Sequence, residues 1–320
     1  MSARSLSVAA VFLAAVGLSA CFGSGDKAAK ASSQPTCTPA AGPAPATLKL
    51  APQWAAGDTR KVTITKTREE SGQPSTESGA TAQLTVLRTG VQGSRLRWTS
   101  NDAVLPADQL PSVAAARLKD VAKGFVVRYT TDAGGAYVAK QNVAQIHARL
   151  AKILDALAQD PASAAAVKSS RAVMLSTPFI QTSVVKEIPE LHGVYGLTLT
   201  EAKPLKLTRR IANPFGATAL RADGTAELVQ ARNDRGCAIV ELDVKPTAAE
   251  LAKSLADTFG AKATNVPQAA RRAGLSVESS SRYTYDPATG WVVRVDVTQT
   301  VKINGKSGSD LTVITTRGPG

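Results

Sequence analysis

The chain has 320 residues, with 38 Lys and Arg against 25 Asp and Glu, and therefore a formal charge of +13. Its hydrophobic content of 43% is ordinary for a globular protein and excludes a wholly disordered chain. Aromatic residues make up only 4%, so that Ala, Val and Leu must fill the interior. The length predicts one large domain or two small ones with a real core.

The N-terminal segment, residues 1–20, has the layout of a secretory signal peptide. It carries Arg4, an apolar run from Leu6 to Leu18, and small residues directly before Cys21. The apolar run is shorter than the ~20 residues that a membrane-spanning helix needs. We therefore expect a cleaved signal and not a transmembrane anchor.

The end of this segment, Leu18-Ser19-Ala20-Cys21, resembles the lipobox of bacterial lipoproteins. The resemblance implies cleavage before Cys21, diacylglycerol on the Cys21 sulfur, and an acyl chain such as palmitate on the new amino terminus. It also implies a cell-envelope location on the extracytoplasmic side, either in the outer membrane or in the outer leaflet of the cytoplasmic membrane. No second apolar segment approaches spanning length, so the lipid is predicted to be the only membrane anchor.

After Cys21, residues 21–46 contain Gly, Ser, Ala, Pro and Thr with almost no large apolar side chain. Such a composition predicts a flexible tether, because it buries too little surface to offset the entropy of ordering. Besides Cys21, the chain has Cys37 in this tether and Cys237 in the body. In an oxidising compartment these two are a candidate disulfide, and the alternative is two unpaired thiols.

A first β-rich half is predicted over residues 47–142. Apolar and polar residues alternate in Arg60–Arg68, Thr81–Arg88 and Ser94–Ser100, the pattern of an antiparallel meander. Apolar residues at helical spacing predict a helix over 110–121, and a hairpin is predicted to turn at 132–135.

Residues 143–195 are predicted to form a helical connector. Asn142 and Gln145 have the spacing of a capping box before one apolar stripe. A second helix is predicted over 162–175, and a third is predicted to have Pro178 in its first turn and to end at Pro189.

The second β-rich half, residues 196–320, repeats the order of elements of the first. Thr225-Ala226-Glu227-Leu228 matches Thr81-Ala82-Gln83-Leu84 at an offset of 144, and Tyr283-Thr284-Tyr285-Asp286 matches Tyr129-Thr130-Thr131-Asp132 at an offset of 154. Thr247 begins a helix in the corresponding place, and Asn304-Gly305 predicts a final hairpin. We interpret this as an internal duplication; convergence of two β-meanders is the alternative.

These elements predict an α+β fold. Two meander-helix-hairpin halves would join in one or two curved antiparallel sheets, with helices packed on one face.

Residue patterns of known chemistry give no catalytic site. His147 and His192 have no partner at zinc-ligand spacing, and we expect each to be a surface or hydrogen-bonded structural histidine. Asp132 and Asp286 occupy corresponding turns, where either a pair of ligand contacts or ordinary Asx turns would explain them. Gly305-Lys306-Ser307 lacks the rest of a phosphate-binding loop. We predict no metal, no cofactor and no enzymatic activity.

A basic surface is predicted on one strand and on a loop of the second half. Its residues are Lys203, Lys206, Arg209, Arg210, Arg271 and Arg272. Outside the cytoplasm such a surface favours anionic lipids or acidic polymers, and a solvated surface without a partner is the plain alternative. Nucleic-acid binding would require interleaved aromatic residues, which this surface lacks.

The body resembles envelope lipoproteins of unknown function, in which a proline-containing segment like Glu187-Ile188-Pro189 separates two strand-rich halves. Where that family has Gly-Asp-x-Trp, this chain has His192-Gly193-Val194-Tyr195. The layout is also similar to lipoprotein carriers that hold acyl chains between a curved sheet and helices. The resemblance implies a non-enzymatic binding protein for a lipid, a glycan or a partner protein. A structural component that uses its basic surface is the alternative, and a hydrolase without a recognisable motif is the third.

Overall fold

The computed structural model describes residues 35, 37–38, 42–102, 124–159, 161–214, 218–259 and 274–318. Among these described residues the fold is mostly β, with 50% in strands and 20% in helices. The prediction of an α+β fold was therefore wrong. The alternating patterns marked only the middle of each strand, and the strands continue through Thr-, Ser- and Gly-rich flanks that carry little apolar periodicity.

The strands are β1 (Thr47–Lys49), β2 (Thr59–Glu70), β3 (Thr76–Gly90), β4 (Gly93–Asp102), β5 (Val126–Thr131), β6 (Tyr137–Lys140), β7 (Thr198–Thr200), β8 (Leu205–Ile211), β9 (Leu220–Gln230), β10 (Ala238–Pro246), β11 (Ser276–Asp286), β12 (Trp291–Ile303) and β13 (Lys306–Arg317). The helices are α1 (Val143–Ala158), α2 (Pro161–Met174), α3 (Thr177–Thr182), α4 (Glu187–Leu191) and α5 (Ala248–Phe259).

Eleven strands form one antiparallel sheet in the order β6-β5-β4-β3-β2-β13-β12-β11-β10-β9-β8. The last strand of the chain, β13, pairs with β2 and so joins the two β-rich halves in a single sheet. Strands β6 and β8 are its edges, and β1 pairs with β7 in a separate two-stranded sheet. At the predicted β12–β13 turn, Asn304 and Gly305 have φ values of 50° and 74°, as a tight hairpin turn requires.

Strand register places corresponding residues of the two halves in corresponding positions. Val62 lies opposite Ala82 in the first half, and Leu205 lies opposite Ala226 in the second. Leu96 likewise faces Tyr129, and Val240 faces Tyr283. The β3–β4 and β9–β10 pairs differ in register. Leu84 faces Trp98, whose counterpart at the offset of 144 is Leu242, but Leu228 faces Val240, two residues earlier. A tandem duplication would require the matching β2–β3 and β8–β9 registers and the matching β4–β5 and β10–β11 registers. The duplication itself stays a prediction.

The helical connector supplies one wall of the core. Helix α1 buries the predicted stripe of Ile146, Leu150, Ile153, Leu154 and Leu157. These residues belong to one hydrophobic cluster with the inward side chains of the sheet. None of the helices in the described ranges is long and apolar enough to cross a membrane.

Local details of the connector differ from the predictions. The Asn142 side chain does not cap α1; its Oδ1 accepts a hydrogen bond from the Arg128 amide at 2.8 Å, and its Nδ2 donates to the Val126 carbonyl. Pro189 lies inside α4 instead of ending a helix, because a first-turn residue needs no intrahelical N–H bond. The helix predicted over 110–121 lies outside the described residues.

Candidate binding site

A cavity of about 100 Å³ lies between the inner face of β2–β4 and the helical connector. Its apolar wall combines strand residues with residues of α1, α2 and α3. The lining includes Ile64, Ala80, Ala82, Trp98, Phe125, Leu150, Ile153, Leu154, Met174, Phe179, Val184 and Val185. Inward strand positions alternate with outward ones, and the lining residues of β2 (Ile64, Lys66) and β4 (Trp98, Ser100) follow this alternation. Small Ala80 and Ala82 leave the space that larger side chains fill elsewhere.

The same cavity has a charged side. Lys66 on β2 and Glu187 on α4 line it, and their Nζ and Oε1 atoms lie 2.6 Å apart. The Glu187 side chain is only 6% exposed, and that of Lys66 is 23% exposed. Burial alone would raise the pKa of Glu187, but the charge of Lys66 and their hydrogen bond outweigh burial and lower this pKa. The pair is therefore ionised, and it adds a charged side to a cavity whose other polar lining residues are Ser78, Thr81, Ser100, Ser183 and Lys186.

A second carboxylate lies one helical turn further along α4. Burial raises the pKa of Glu190 to about 7; Lys186 opposes this shift, and the neighbouring Glu187 carboxylate adds to it. The Oε2 atom of Glu190 is buried and has no hydrogen-bond partner among the described residues. At neutral pH one carboxylate of α4 is thus held ionised by Lys66, while the other is only partly ionised.

At the C-terminal end of α4, a buried aromatic cluster surrounds His192. Its Nδ1 atom lies 2.9 Å from the Gly135 carbonyl and its Nε2 atom 2.9 Å from the Tyr129 hydroxyl. A carbonyl only accepts, so Nδ1 carries the proton and Nε2 accepts from Tyr129. Trp54 and Tyr195 pack against the imidazole. Burial lowers the pKa of His192 to about 4, so the ring is neutral and structural near pH 7.

The two halves of the sheet both reach this connector through corresponding tyrosines. Tyr129 bonds to His192, and the Tyr283 hydroxyl donates to the Glu190 carbonyl at 3.0 Å. Tyr195 donates to the Gly290 carbonyl and accepts from the Val292 amide. These bonds fix the position of α4, and hence of Glu187, relative to the sheet.

The structure joins Cys37 to Cys237 by a disulfide. Thr38 adds a hydrogen bond from its hydroxyl to the Asp286 carboxylate at 3.1 Å. Cys37 and Thr38 of the predicted tether are thus held against the β9–β10 loop and the β11–β12 turn. The predicted lipidation site, Cys21, and the signal peptide lie outside the described residues.

The predicted basic surface is not continuous. Lys203, Lys206 and Arg210 are exposed on or beside edge strand β8, whereas Arg209 is half-buried and donates to the Gly193 carbonyl. Asp223 lies opposite Thr208 in the adjacent strand, so that negative charge interrupts the positive row. Arg271 and Arg272 lie outside the described residues.

The remaining candidate residues have structural contacts. Asp286 Oδ1 accepts from the Ala288 amide two residues on, as in an Asx turn, whereas Asp132 Oδ1 accepts from the Ala136 amide four residues on and closes a wider turn. His147 is exposed on α1. Within the described ranges no group of three or more His, Cys, Asp or Glu residues is placed to hold a metal ion.

Sequence reasoning identified Trp98 and Ile153 as residues that would line a ligand cavity, and both do so. Ile146 and Leu228, named with them, do not line it. The Lys66–Glu187 pair was missed. Its one sequence signal was a lysine at an inward position of an alternating strand, between Ile64 and Arg68, where an apolar residue was expected.

No protein-family model matches this chain, and no curated protein matches it significantly.

Proposed function

We propose that this chain is a lipid-anchored protein of the cell envelope that binds the aliphatic end of an amphiphilic molecule without transforming it. The observation that carries the proposal is the cavity between sheet and helices, whose wall is mostly apolar and whose charged side is formed by the Lys66–Glu187 pair with Lys186. Membrane attachment through Cys21 is part of the proposal and stands on the resemblance of residues 18–21 to a lipobox.

The size of the cavity limits the ligand. An apolar cavity of roughly 150 Å³ stays dry and accepts a benzene-sized molecule. A void of about 100 Å³ therefore fits the end of a hydrocarbon chain and not a whole lipid. A longer chain would have to separate α1 and α3 from β3 and β4.

The charged side gives such a ligand an orientation. Lys66 is the cation of the cavity wall that faces a buried carboxylate, and Lys186 lines the same cavity. An anionic head group would compete with Glu187 for Lys66, whereas a cationic head group would be repelled by Lys66. An anionic amphiphile, with its tail against Trp98 and Ile153, matches both sides.

A quenching titration tests this proposal, because Trp98 lines the cavity and is 1% exposed. Trp54 and Trp291 do not line it; their rings pack on each other with centroids 4.9 Å apart. The full chain carrying Cys21→Ala is titrated with 5-bromopentanoate, a chain short enough for the cavity, whose bromine quenches only tryptophans in close contact. We expect saturable quenching, and 5-bromopentanol should bind more weakly because it has no charge for Lys66.

The matched control is Trp98→Phe, which keeps an aromatic wall and should lose the saturable quenching while calorimetry still detects the fatty acid. Equal quenching in both proteins would show that the probe binds elsewhere and would overturn the proposal. A saturable response to soluble oligosaccharides, with none to the fatty acid, would replace it with glycan binding.

A further inference from the structure

We propose that the outer face of β3–β5 docks on an anionic phospholipid membrane through four arginines and an apolar hairpin tip. This surface is distinct from the cavity and is called the arginine face here. It consists of Arg88, Arg95, Arg97 and Arg128. The inference does not depend on the proposed function.

Strand register brings these arginines together. Arg88 lies opposite Arg95, and Arg97 lies opposite Arg128. Directly opposed residues of antiparallel strands have Cβ atoms about 5 Å apart, and residues two apart on one strand share a face. Two like-charged cross-strand pairs therefore lie side by side, an arrangement that destabilises a sheet unless a counter-charge is supplied.

Among the described residues, no acidic side chain forms an ion pair with these four arginines. Residues 79–101 and 126–131 contain no Asp or Glu. The ion pairs formed among described residues do not include any arginine of this face. The Nε atom of Arg97 is buried without a hydrogen-bond partner in those same ranges. Among the described residues this face therefore keeps its positive charge, as a surface that binds an anion does.

The second half shows that the position does not require two arginines. Glu241 and Arg282 correspond to Arg97 and Arg128 at the offsets of 144 and 154, and they too lie opposite each other in register. There they form a salt bridge. The same cross-strand position is therefore neutralised in one half and left doubly positive in the other.

Exposed apolar residues beside the arginines favour a membrane over a soluble polyanion. Val91, at the tip of the β3–β4 hairpin, is 95% exposed, and Leu87 on β3 is 42% exposed. Val138 on the adjacent edge strand β6 is 58% exposed. A soluble polyanion offers no apolar surface that could bury these side chains, whereas a bilayer interface accepts apolar groups next to basic ones.

The test is co-sedimentation of the full chain carrying Cys21→Ala with vesicles of phosphatidylglycerol and phosphatidylcholine, or of phosphatidylcholine alone. We expect salt-sensitive binding to the anionic vesicles only. The triple variant Arg95→Gln, Arg97→Gln and Arg128→Gln should lower the partition coefficient by about 100-fold. Val91→Asp should lower it by about tenfold.

The matched control removes three positive charges from β8 and the segment before it, through Lys203→Gln, Lys206→Gln and Arg210→Gln. It should retain most of the binding. Arg97→Glu, which reproduces the charge arrangement of the second half, should raise the melting temperature and lower vesicle binding, so that loss of binding cannot be attributed to unfolding. Equal losses in the two triple variants would show that only net charge matters and would overturn the proposal. Binding to dextran sulfate that survives Val91→Asp, without binding to vesicles, would also overturn it.

Discussion

Replacing Ala82 by leucine fills the cavity and should stabilise the protein, against the usual rule for small-to-large substitutions in a core. Ala82 is 1% exposed and lines the void of about 100 Å³. Ala226, its counterpart in the second half, is fully buried and does not line the cavity. Ala226→Leu is therefore the matched control.

The magnitude follows from the cavity. Voids cost about 24 cal/mol per Å³, so a void of this size lowers the free energy of unfolding by about 2.4 kcal/mol. Leucine adds three carbon atoms, each worth about 0.8 kcal/mol when buried, less about 0.5–1 kcal/mol for fixing the side chain. We expect a gain of about 1–2 kcal/mol for Ala82→Leu. Ala226→Leu should lose about 1–3 kcal/mol by overpacking.

Denaturant unfolding of the two variants beside the parent chain measures both changes. The corresponding shifts in melting temperature are about 2–4 °C per kcal/mol for a body of this size. Ala82→Leu should also abolish saturable quenching of Trp98 by the brominated fatty acid. If Ala82→Leu destabilises the chain as much as Ala226→Leu, the void between sheet and helices is not open space, and the reasoning fails.

Three further predictions concern the disulfide and the buried titratable groups. The double variant Cys37→Ser and Cys237→Ser opens a loop with a sequence separation of 200 residues and should lower the free energy of unfolding by up to about 5 kcal/mol; dithiothreitol should shift the denaturation midpoint of the parent but not of the variant. The pKa of Glu190 is about 7 in the folded chain and about 4.5 in the unfolded chain, so the unfolded chain releases this proton first and the free energy of unfolding falls as pH rises above 4.5. Glu190→Gln should therefore stabilise the chain more at pH 8 than at pH 5. An equal gain at both pH values would contradict this. The pKa of His192 is lowered from 6.5 to about 4, so the unfolded chain binds the proton first and the free energy of unfolding should fall by about 3 kcal/mol as pH falls from 6.5 to 4. In the variant His192→Gln the melting temperature should depend less on pH.

Local signals in the sequence predicted most of the elements but not their proportions. Asn304-Gly305 specifies its turn because both residues tolerate positive φ, and the apolar stripe of α1 specifies its buried face. The length of β3, which begins at Thr76, was not predictable, since its first residues are held by pairing with β2 and not by their own pattern. The balance between helix and strand was misjudged for this reason.

By itself the sequence determined which face of each strand is apolar and where the hairpins turn, because these properties depend on neighbours close in the chain. Only the tertiary structure decided that β13 joins β2 into one sheet, that Lys66 meets Glu187, and that Arg97 faces Arg128. Each of these depends on strand order and register between segments distant in sequence. A pattern of period two specifies which side a residue occupies but not the partner it meets there.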